Sequence, residues 1–426
     1  MTEHAAKRAA TPPPSLKDAA WLQQAETKRV FAALAGPGIE TRAVGGAVRN
    51  TLLGLKVDEV DFATTALPEK VMALARGADL KAVPTGIEHG TVTVVAGGVP
   101  FEVTTLRRDV ETYGRHAVVA FTEDWREDAR RRDFTLNALY AGSDGELFDP
   151  LGGYADLAAG RVRFIGDAEA RIKEDYLRIL RFFRFNAYYG KGPLDAAGLA
   201  ACVRLRAGLD QLSAERVASE LRKLLVAPQA VRAVEALFDY GLLTQLLGGV
   251  PRLMRFARLV AAEEALGLPP DPALRLAALA VFVKEDAERL AARLRLSNNE
   301  LAVLTLGTED HAAAELPDEA AAKRALYRLG PCSFEAHVLL ASADAGIQPD
   351  DQTWRRALRL ADRWDVPEFP LRGPDIMALG EVKGPAIGEI LRQVEAEWVA
   401  GGFAASREVL LARAAELSRK SSKPDR

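Results

Sequence analysis

Cysteine is nearly absent from this 426-residue chain, which has two, Cys202 and Cys332, far apart in sequence. Two distant thiols argue against a disulfide framework or a structural zinc cluster and fit a reducing compartment. Histidine is almost as scarce. Five occur, and none is followed directly by aspartate, which disfavours a phosphohydrolase of the histidine-aspartate type. No window approaches the roughly 18 uncharged apolar residues of a membrane-spanning helix. Met1 to Ser15 is polar, with a Pro12-Pro13-Pro14 run in place of an apolar signal core. The expectation is a soluble, cytoplasmic protein with no membrane partner. Net charge is small as well, −3 at pH 7, so any nucleic-acid surface has to be a local basic stripe.

Apolar residues are plentiful. At 49% hydrophobic over 426 residues the chain can bury several cores, and about two to four domains are expected. The stretch that organises them runs from Ala43 to Ala66 and reads as strand, glycine turn, short helix and second strand. Gly45 and Gly46 lack Cβ atoms where strand meets helix, so backbone N–H groups there can approach a phosphate. Arg49 follows one helical turn later and can hold a phosphate oxygen bidentately. Glu59 and Asp61 are two apart in an extended run, which sends both carboxylates to one face. Such pairs hold hard divalent cations such as Mg²⁺, and a bare Glu-x-Asp is otherwise a solvated strand edge.

Taken in order, residues 1 to 17 read as disordered and Asp18 to Leu34 as an amphipathic helix ending at Gly36-Pro37-Gly38. Short strands follow at Ala82-Val83, Thr91 to Val95 and Val99 to Leu106. His89 lies in a turn between two of them, where it is either mechanistic or a plain hydrogen-bonding residue. Glu102 is a third-carboxylate candidate or an ordinary surface glutamate. Arg107 to Phe121 is polar and reads as a mobile loop. A helix is expected over Glu123 to Tyr140, with Asp133 and Asn137 four apart on one face. They could bracket a ribose hydroxyl, or belong to a salt-bridged surface helix.

Ser143-Asp144-Gly145 predicts a hairpin turn, and Asp149 to Leu157 is glycine-punctuated like a hinge where strands stop. A basic run from Arg126 to Arg184 is by itself a solvated helix face. Within it, one long helix over Asp167 to Tyr189 would set Asp175 beside Arg178. An acceptor beside a donor matches the Watson–Crick edges of C and A, whereas U and G present the reverse. The C-terminal half reads as helices at Val231 to Leu247, Pro272 to Leu296 and Glu319 to Leu329. Glycine turns at Leu371 to Asp375 and Lys383 to Gly388 either grip RNA phosphates or simply punctuate helices, and Arg419 to Lys423 reads as a disordered tail.

Seven ordered motifs carry a resemblance over most of the chain. They are Gly45-Gly46-x-Val48-Arg49-Asn50, Glu59-Val60-Asp61-Phe62-Ala63-Thr64, Glu102-Val103-Thr104-Thr105, Arg131-Arg132-Asp133-Phe134-Thr135-Leu136-Asn137, Asp149-Pro150 with Gly152-Gly153 and Asp156-Leu157, Glu174-Asp175-x-x-Arg178, and Leu212-Ser213-x-Glu215-Arg216. In this order they resemble the bacterial-type (class II) CCA-adding tRNA nucleotidyltransferases, which belong with bacterial poly(A) polymerases in the polymerase-β-like superfamily.

The resemblance implies an α+β fold, with a mixed-sheet nucleotidyltransferase head over 18–150, a helical neck over 151–230 and a helical, RNA-binding body and tail over 231–426. It implies that Gly45, Gly46 and Arg49 hold the triphosphate, Glu59 and Asp61 hold magnesium with Glu102 assisting catalysis, and Arg131, Arg132, Asp133 and Asn137 flank the ribose. Asp175 and Arg178 would read the base, with Arg181 and Arg184 in support. The implied reaction adds C, C and A from CTP and ATP to a tRNA 3′ end without a nucleic-acid template. Two positions depart from the family pattern: Glu59 stands where aspartate is usual, and so does Asn50. The alternatives are a poly(A) polymerase, a partial CC-adding or A-adding enzyme, and a non-catalytic RNA-binding relative disabled at Glu59.

Overall fold

The computed structural model describes residues 14–113, 116–308, 318–379 and 384–421. The chain divides into two compact units, Met1–Leu246 and Leu247–Arg426. Residues 1–13 of the expected disordered arm lie outside the described residues. Pro14 to Lys17 are described, and there Leu16 is buried with its N–H donating to the Gly145 carbonyl at 2.8 Å.

The first unit opens with α1 (Ala20–Gln23) and α2 (Ala25–Ala33). A single helix is expected here, but Gln24 adopts extended backbone (φ −62°, ψ 138°) and splits it. A mixed α/β layer follows: β1 (Thr41–Val44), α3 (Gly46–Leu52), β2 (Asp61–Thr64), α4 (Pro68–Gly77), β3 (Lys81–Gly86), β4 (Thr91–Ala96) and β5 (Val99–Thr105). Next come the hairpin β6 (Arg107–Tyr113) and β7 (His116–Phe121), α5 (Trp125–Arg130), β8 (Tyr140–Ala141) and β9 (Leu147–Phe148). The main sheet has the order β3-β4-β5-β2-β1-β8-β9. Only β2 and β5 run parallel; the other neighbours are antiparallel.

Alternation decides which face of this sheet is covered. Val92, Val94 and Ala96 of β4 and Phe101 and Val103 of β5 are buried beneath α2 and α4, while Glu102 points the other way and is exposed. The catalytic candidates therefore lie on the open side.

Two expectations for this region are corrected. Residues 107–113 and 116–121 form a β-ribbon where a loop is expected, with Arg107 opposite Phe121 and Tyr113 opposite His116. Residues 107–113 are mostly polar, so the apolar alternation that marks a half-buried strand is missing there. The helix expected over Glu123 to Tyr140 stops at Arg130. Asp133 takes the N–H of its neighbour Phe134 at 2.8 Å, the local competition that breaks helices. The chain then forms a 3₁₀ turn at Thr135–Asn137 and enters β8, pairing Tyr140 with Val44.

Past residue 150 the first unit is helical, with α6 (Gly153–Ala158), α7 (Ala168–Glu174), α8 (Leu177–Tyr189), α9 (Ala196–Arg204), α10 (Ala214–Leu225) and α11 (Ala230–Asp239). The expected single helix from Asp167 to Tyr189 is two, because Asp175 is extended (φ −156°, ψ 106°) between them. The described residues of the second unit hold helices and no strands, around cores such as Leu326, Phe334 and Trp354, or Ile376, Val394 and Trp398. The helix expected over Val231 to Leu247 is Ala230–Asp239 and Leu242–Leu247, and that over Pro272 to Leu296 is Pro272–Ala280 and Lys284–Leu294. Of the expected tail, residues 419–421 close the last helix and 422–423 lie outside the described residues, as does Lys383. Among the described residues no helix is long and apolar enough to cross a membrane.

Candidate active site

The site begins where β1 hands over to α3. Gly45 has φ +70°, a conformation that L side chains rarely adopt, so this turn requires glycine. A Cβ on Gly45 would lie 3.9 Å from Arg132 Nη1, and one on Gly46 would lie 3.8 Å from Arg49 Nη2. The bare turn thus sits between two guanidinium groups, an arrangement suited to a phosphate chain. Arg49 is buried and donates through Nη1 to Asn137 Oδ1 at 2.6 Å and through Nε and Nη2 to Asn50 Oδ1 at 3.1 and 2.9 Å. Asn50 also donates to the Lys56 carbonyl at 3.0 Å. The amide at position 50 orients Arg49 without neutralising it, which gives this departure from the family pattern a physical role.

Asp61 opens β2 on the cleft floor, reachable by solvent but flanked by protein. Its carboxyl is pushed up to about 6, first by burial, then by the charges of Glu102 and Glu59, with Arg132 pulling the other way. Asp61 therefore lies close enough to Glu59 and Glu102 to feel both charges. Among the described residues no three His, Cys, Asp or Glu side chains converge closely enough to cage a metal alone. Mg²⁺ needs no such cage, since one or two carboxylates with water and substrate phosphates suffice. The hard, mutually repelling oxygen donors here fit that ion. Glu59 lies in the irregular lead-in before β2, not on the strand, and is exposed. Asp58 pairs with Lys56 at the surface (2.6 Å), so it does not stand in for Glu59.

Behind the turn lies a carboxylate that sequence reasoning missed. Asp128, 1% exposed, accepts from Arg131 Nε at 2.7 Å, Arg132 Nη2 at 3.1 Å and the Tyr140 hydroxyl at 2.8 Å. Burial alone would raise its pKa, but Arg132 and Arg131 outweigh it and hold it at about 2. Arg132 is thereby aimed at the glycine turn. Arg131 is fixed against Asp128 and does not line the cleft.

Asp133 and Asn137 do meet, at 2.9 Å, across the 3₁₀ turn instead of along a helix. Asp133 also accepts from Arg181 Nε at 2.8 Å, and despite burial its carboxyl is held at about 2 by Arg181, Asn137 and the Phe134 N–H. The result is a chain of bonds from Arg49 through Asn137 and Asp133 to Arg181. The glycine-punctuated segment buttresses this turn. Asp156 accepts from Thr135 Oγ1 at 2.7 Å, and a Cβ on Gly153 would fall 2.1 Å from the Thr135 carbonyl oxygen.

The remaining wall comes from the α7–α8 junction. Asp175 accepts from the Leu177 N–H at 3.1 Å through Oδ1 and from Arg216 Nη2 at 2.6 Å through Oδ2. Arg178 is held through Nη1 by Glu174 and by the Arg171 carbonyl, which leaves Nε and Nη2 with no bond among the described residues. Arg184 lies outside the cleft, ion-paired to buried Glu220 at 2.6 Å.

Val44, Gly45, Gly46, Arg49, Asp61, Arg132, Asp133, Asn137, Asp175, Arg178, Arg181 and Arg216 thus border one cleft of about 440 Å³. Glu59 and Glu102 flank Asp61 without lining it. Arg216 had no assigned role in the sequence; its position inside the last of the seven motifs was the available signal.

Comparison with known proteins identifies relatives along most of the chain. A family model described as the poly(A) polymerase head domain matches residues 41–163, and one described as a probable RNA- and SrmB-binding site of polymerase A matches residues 194–254. The mouse mitochondrial CCA tRNA nucleotidyltransferase 1 is 36% identical over 381 residues, covering 87% of this chain and 86% of the relative. The CCA-adding enzyme of Limosilactobacillus fermentum is 30% identical over 387 residues, 89% of this chain and 94% of its own. Among solved structures, the Bacillus stearothermophilus CCA-adding enzyme in complex with CTP superposes with a TM-score of 0.72 at 29% identity, over 93% of this chain and 98% of that one. The Thermotoga maritima CCA-adding enzyme complexed with tRNA shares the fold at 19% identity, with a TM-score of 0.65 over 92% of this chain and 98% of that one.

Proposed function

Since this chain belongs to the CCA tRNA nucleotidyltransferase family, we propose that the cleft between Gly45 and Arg216 is where it adds C, C and A from CTP and ATP to a tRNA 3′ end. One observation carries the assignment: the glycine turn, Asp61 and the Asp175–Arg178 pair open into the same 440 Å³ cleft. The reaction forms a bond from the RNA 3′ oxygen to the α-phosphorus and breaks the bond to the leaving pyrophosphate. Arg132 Nη1 and Arg49 flank the triphosphate over Gly45 and Gly46, opposing the negative charge that the leaving group gathers.

The base is read from the other wall. Arg178, with Nε and Nη2 unused, donates to the ring nitrogen of C or A, and Asp175 accepts from the exocyclic amine. Each Asp175 oxygen keeps a lone pair after bonding Leu177 or Arg216. U and G would set donor against donor and acceptor against acceptor.

Magnesium fits Glu59 and Asp61, with Glu102 adjacent; when bound it supplies charge neutralisation for the pyrophosphate and activates the 3′ hydroxyl. The head over 18–150 carries the transfer chemistry, the neck over 151–230 reads the base, and the helical 231–426 serves tRNA binding. Two thiols outside any disulfide, one of them exposed, suit the cytoplasm or another reducing compartment.

The test is incubation with magnesium, labelled CTP or ATP, and tRNAs lacking all or part of CCA, followed by sequencing of the 3′ ends. Addition that completes CCA and stops is the expected result. Stopping at CC, long A tails, or no incorporation would replace this reading with the partial enzyme, the poly(A) polymerase or the Glu59-disabled binder respectively. Asp61→Asn should abolish addition while leaving CTP binding measurable.

A further inference from the structure

Arg49 has a neighbour that none of the seven motifs contains. Tyr189, the last residue of α8, places its ring centroid 4.3 Å from the Arg49 Cζ, with the Phe185 ring on the same guanidinium at 5.5 Å. The Tyr189 ring is itself held, 5.7 Å from Phe185 and 5.8 Å from Tyr188, whose hydroxyl donates to the Lys223 carbonyl at 3.2 Å. Tyr189 is half-buried, and among the described residues its own hydroxyl makes no hydrogen bond.

The directions of these contacts matter. Every bond from Arg49 to Asn50 and Asn137 lies in the plane of the guanidinium, where a phosphate oxygen must also approach. These three bonds use three of the five guanidinium N–H groups, so one on Nη1 and one on Nη2 remain for a triphosphate. The ring contact is of another kind, with Cζ over the Tyr189 face, so it does not use the N–H groups that remain for phosphate. It also supports the cation without neutralising it, because an aromatic face carries no formal charge. Among the described residues no carboxylate pairs with Arg49, so its full charge remains for the phosphates.

Building on the reading that Arg49 binds the triphosphate, we infer that Tyr189 is a positioning residue for nucleotide binding. It is an aromatic shelf that keeps the Arg49 guanidinium in place as its remaining N–H groups take up phosphate. The shelf does not touch the base, so it acts equally on CTP and ATP and has no part in choosing between them.

The experiment compares full-length Tyr189→Leu, Tyr189→Phe and Arg49→Gln with the parent, measuring KM for CTP, ATP and tRNA, kcat and Tm. A cation–π contact of ordinary strength corresponds to a KM for both nucleotides raised roughly three- to thirtyfold in Tyr189→Leu. The KM for tRNA should stay within about twofold, and Tyr189→Phe should restore parental values. A merely structural role would instead lower Tm and move all three KM values together. Unchanged nucleotide KM in Tyr189→Leu, with a raised KM in Arg49→Gln, overturns the inference alone. Unchanged nucleotide KM in Arg49→Gln overturns the triphosphate role of Arg49 and the shelf with it. A Tyr189→Phe defect equal to that of Tyr189→Leu would assign the effect to the hydroxyl and overturn the shelf.

Discussion

Asp128 touches no substrate in the proposed reaction, yet it fixes Arg131, Arg132 and Tyr140 from a position 1% exposed to solvent. Removing its charge strands two guanidinium groups near one another. Asp128→Asn is therefore expected to cost about 3–5 kcal/mol of stability, the range for breaking a buried pair, and to weaken nucleotide binding through Arg132. Denaturant unfolding with a CTP titration checks both, and a loss below about 1 kcal/mol would show that the amide satisfies the site. The same group sets an acid limit. Its folded pKa of about 2 lies below the ordinary 3.8, as does that of Asp133. The unfolded chain thus binds protons first, and stability present above pH 4 is lost as pH falls towards 2. Each group contributes on the order of 2 kcal/mol to that loss, so Asp128→Asn should show a visibly flatter acid limb in unfolding midpoints between pH 5 and 2. Glu59 poses a different question. It reaches the Asp61 region from irregular chain, and a shorter carboxylate there would withdraw from the cluster. Glu59→Asp should slow single-nucleotide addition by about tenfold at fixed magnesium, as angstrom-scale misplacement of a reacting group does. A faster Glu59→Asp enzyme would mean that aspartate geometry suits this backbone after all.

At the level of elements, the α7–α8 break does what a continuous helix could not. By leaving helical geometry, Asp175 turns one oxygen to the first N–H of α8 and the other to Arg216 on α10. Arg216 thus sets the carboxylate proposed to read the base. Replacing it with methionine, similar in length but apolar, should let Asp175 rotate. The ratio of CTP to UTP incorporation is expected to fall about tenfold, near the value of one good hydrogen bond to a charged group, with the helix content unchanged. An unaltered ratio would show that the Leu177 N–H alone orients Asp175. This break was not legible in the sequence, because the apolar residues Ile172, Tyr176, Ile179 and Phe183 keep helical spacing straight through it. The 107–121 ribbon was hidden for the opposite reason: its mostly polar residues 107–113 have no apolar period to display. Asp133 and Asn137 show a third case. Four-residue spacing correctly paired them, but a 3₁₀ turn and an Asp133–Phe134 bond make the contact, and the pair also bonds Arg49 and Arg181 at the cleft wall. What could be read directly were features with local chemical necessity: the φ +70° glycine, the guanidinium one turn on, and the Asp61 and Glu102 carboxylates, whereas Glu59 sits off the strand that its spacing predicted. Asp128, Arg216 and Tyr189 gain meaning only from distant partners, which a single sequence does not reveal.

On the scale of the whole molecule, every residue lining the cleft, from Val44 to Arg216, falls within the first compact unit, Met1–Leu246. So do the cores that hold it, including the Val44, Leu106, Trp125 and Tyr140 cluster beneath the glycine turn. Nucleotide recognition should then be a property of that unit alone, whereas tRNA is a far larger ligand whose affinity sums many separate phosphate contacts. The helix Leu242–Leu247 straddles the division, so a fair cut leaves it whole and ends at Gly249. Residues 1–249 are expected to unfold in one cooperative transition and to bind CTP with a Kd within about threefold of the full chain, since no contact to the nucleotide has been removed. Addition to tRNA should fall by roughly two orders of magnitude or more, with the loss residing in KM for tRNA, because removing several phosphate contacts multiplies their individual effects. Calorimetric CTP titration and primer extension on the same preparation separate the two halves of this expectation. If the shortened chain folds yet binds CTP more than about tenfold less tightly, the cleft depends on the second unit, and nucleotide selection belongs to the full-length assembly. If it folds and still extends tRNA at the parental rate, the helical second unit has some task other than holding the RNA.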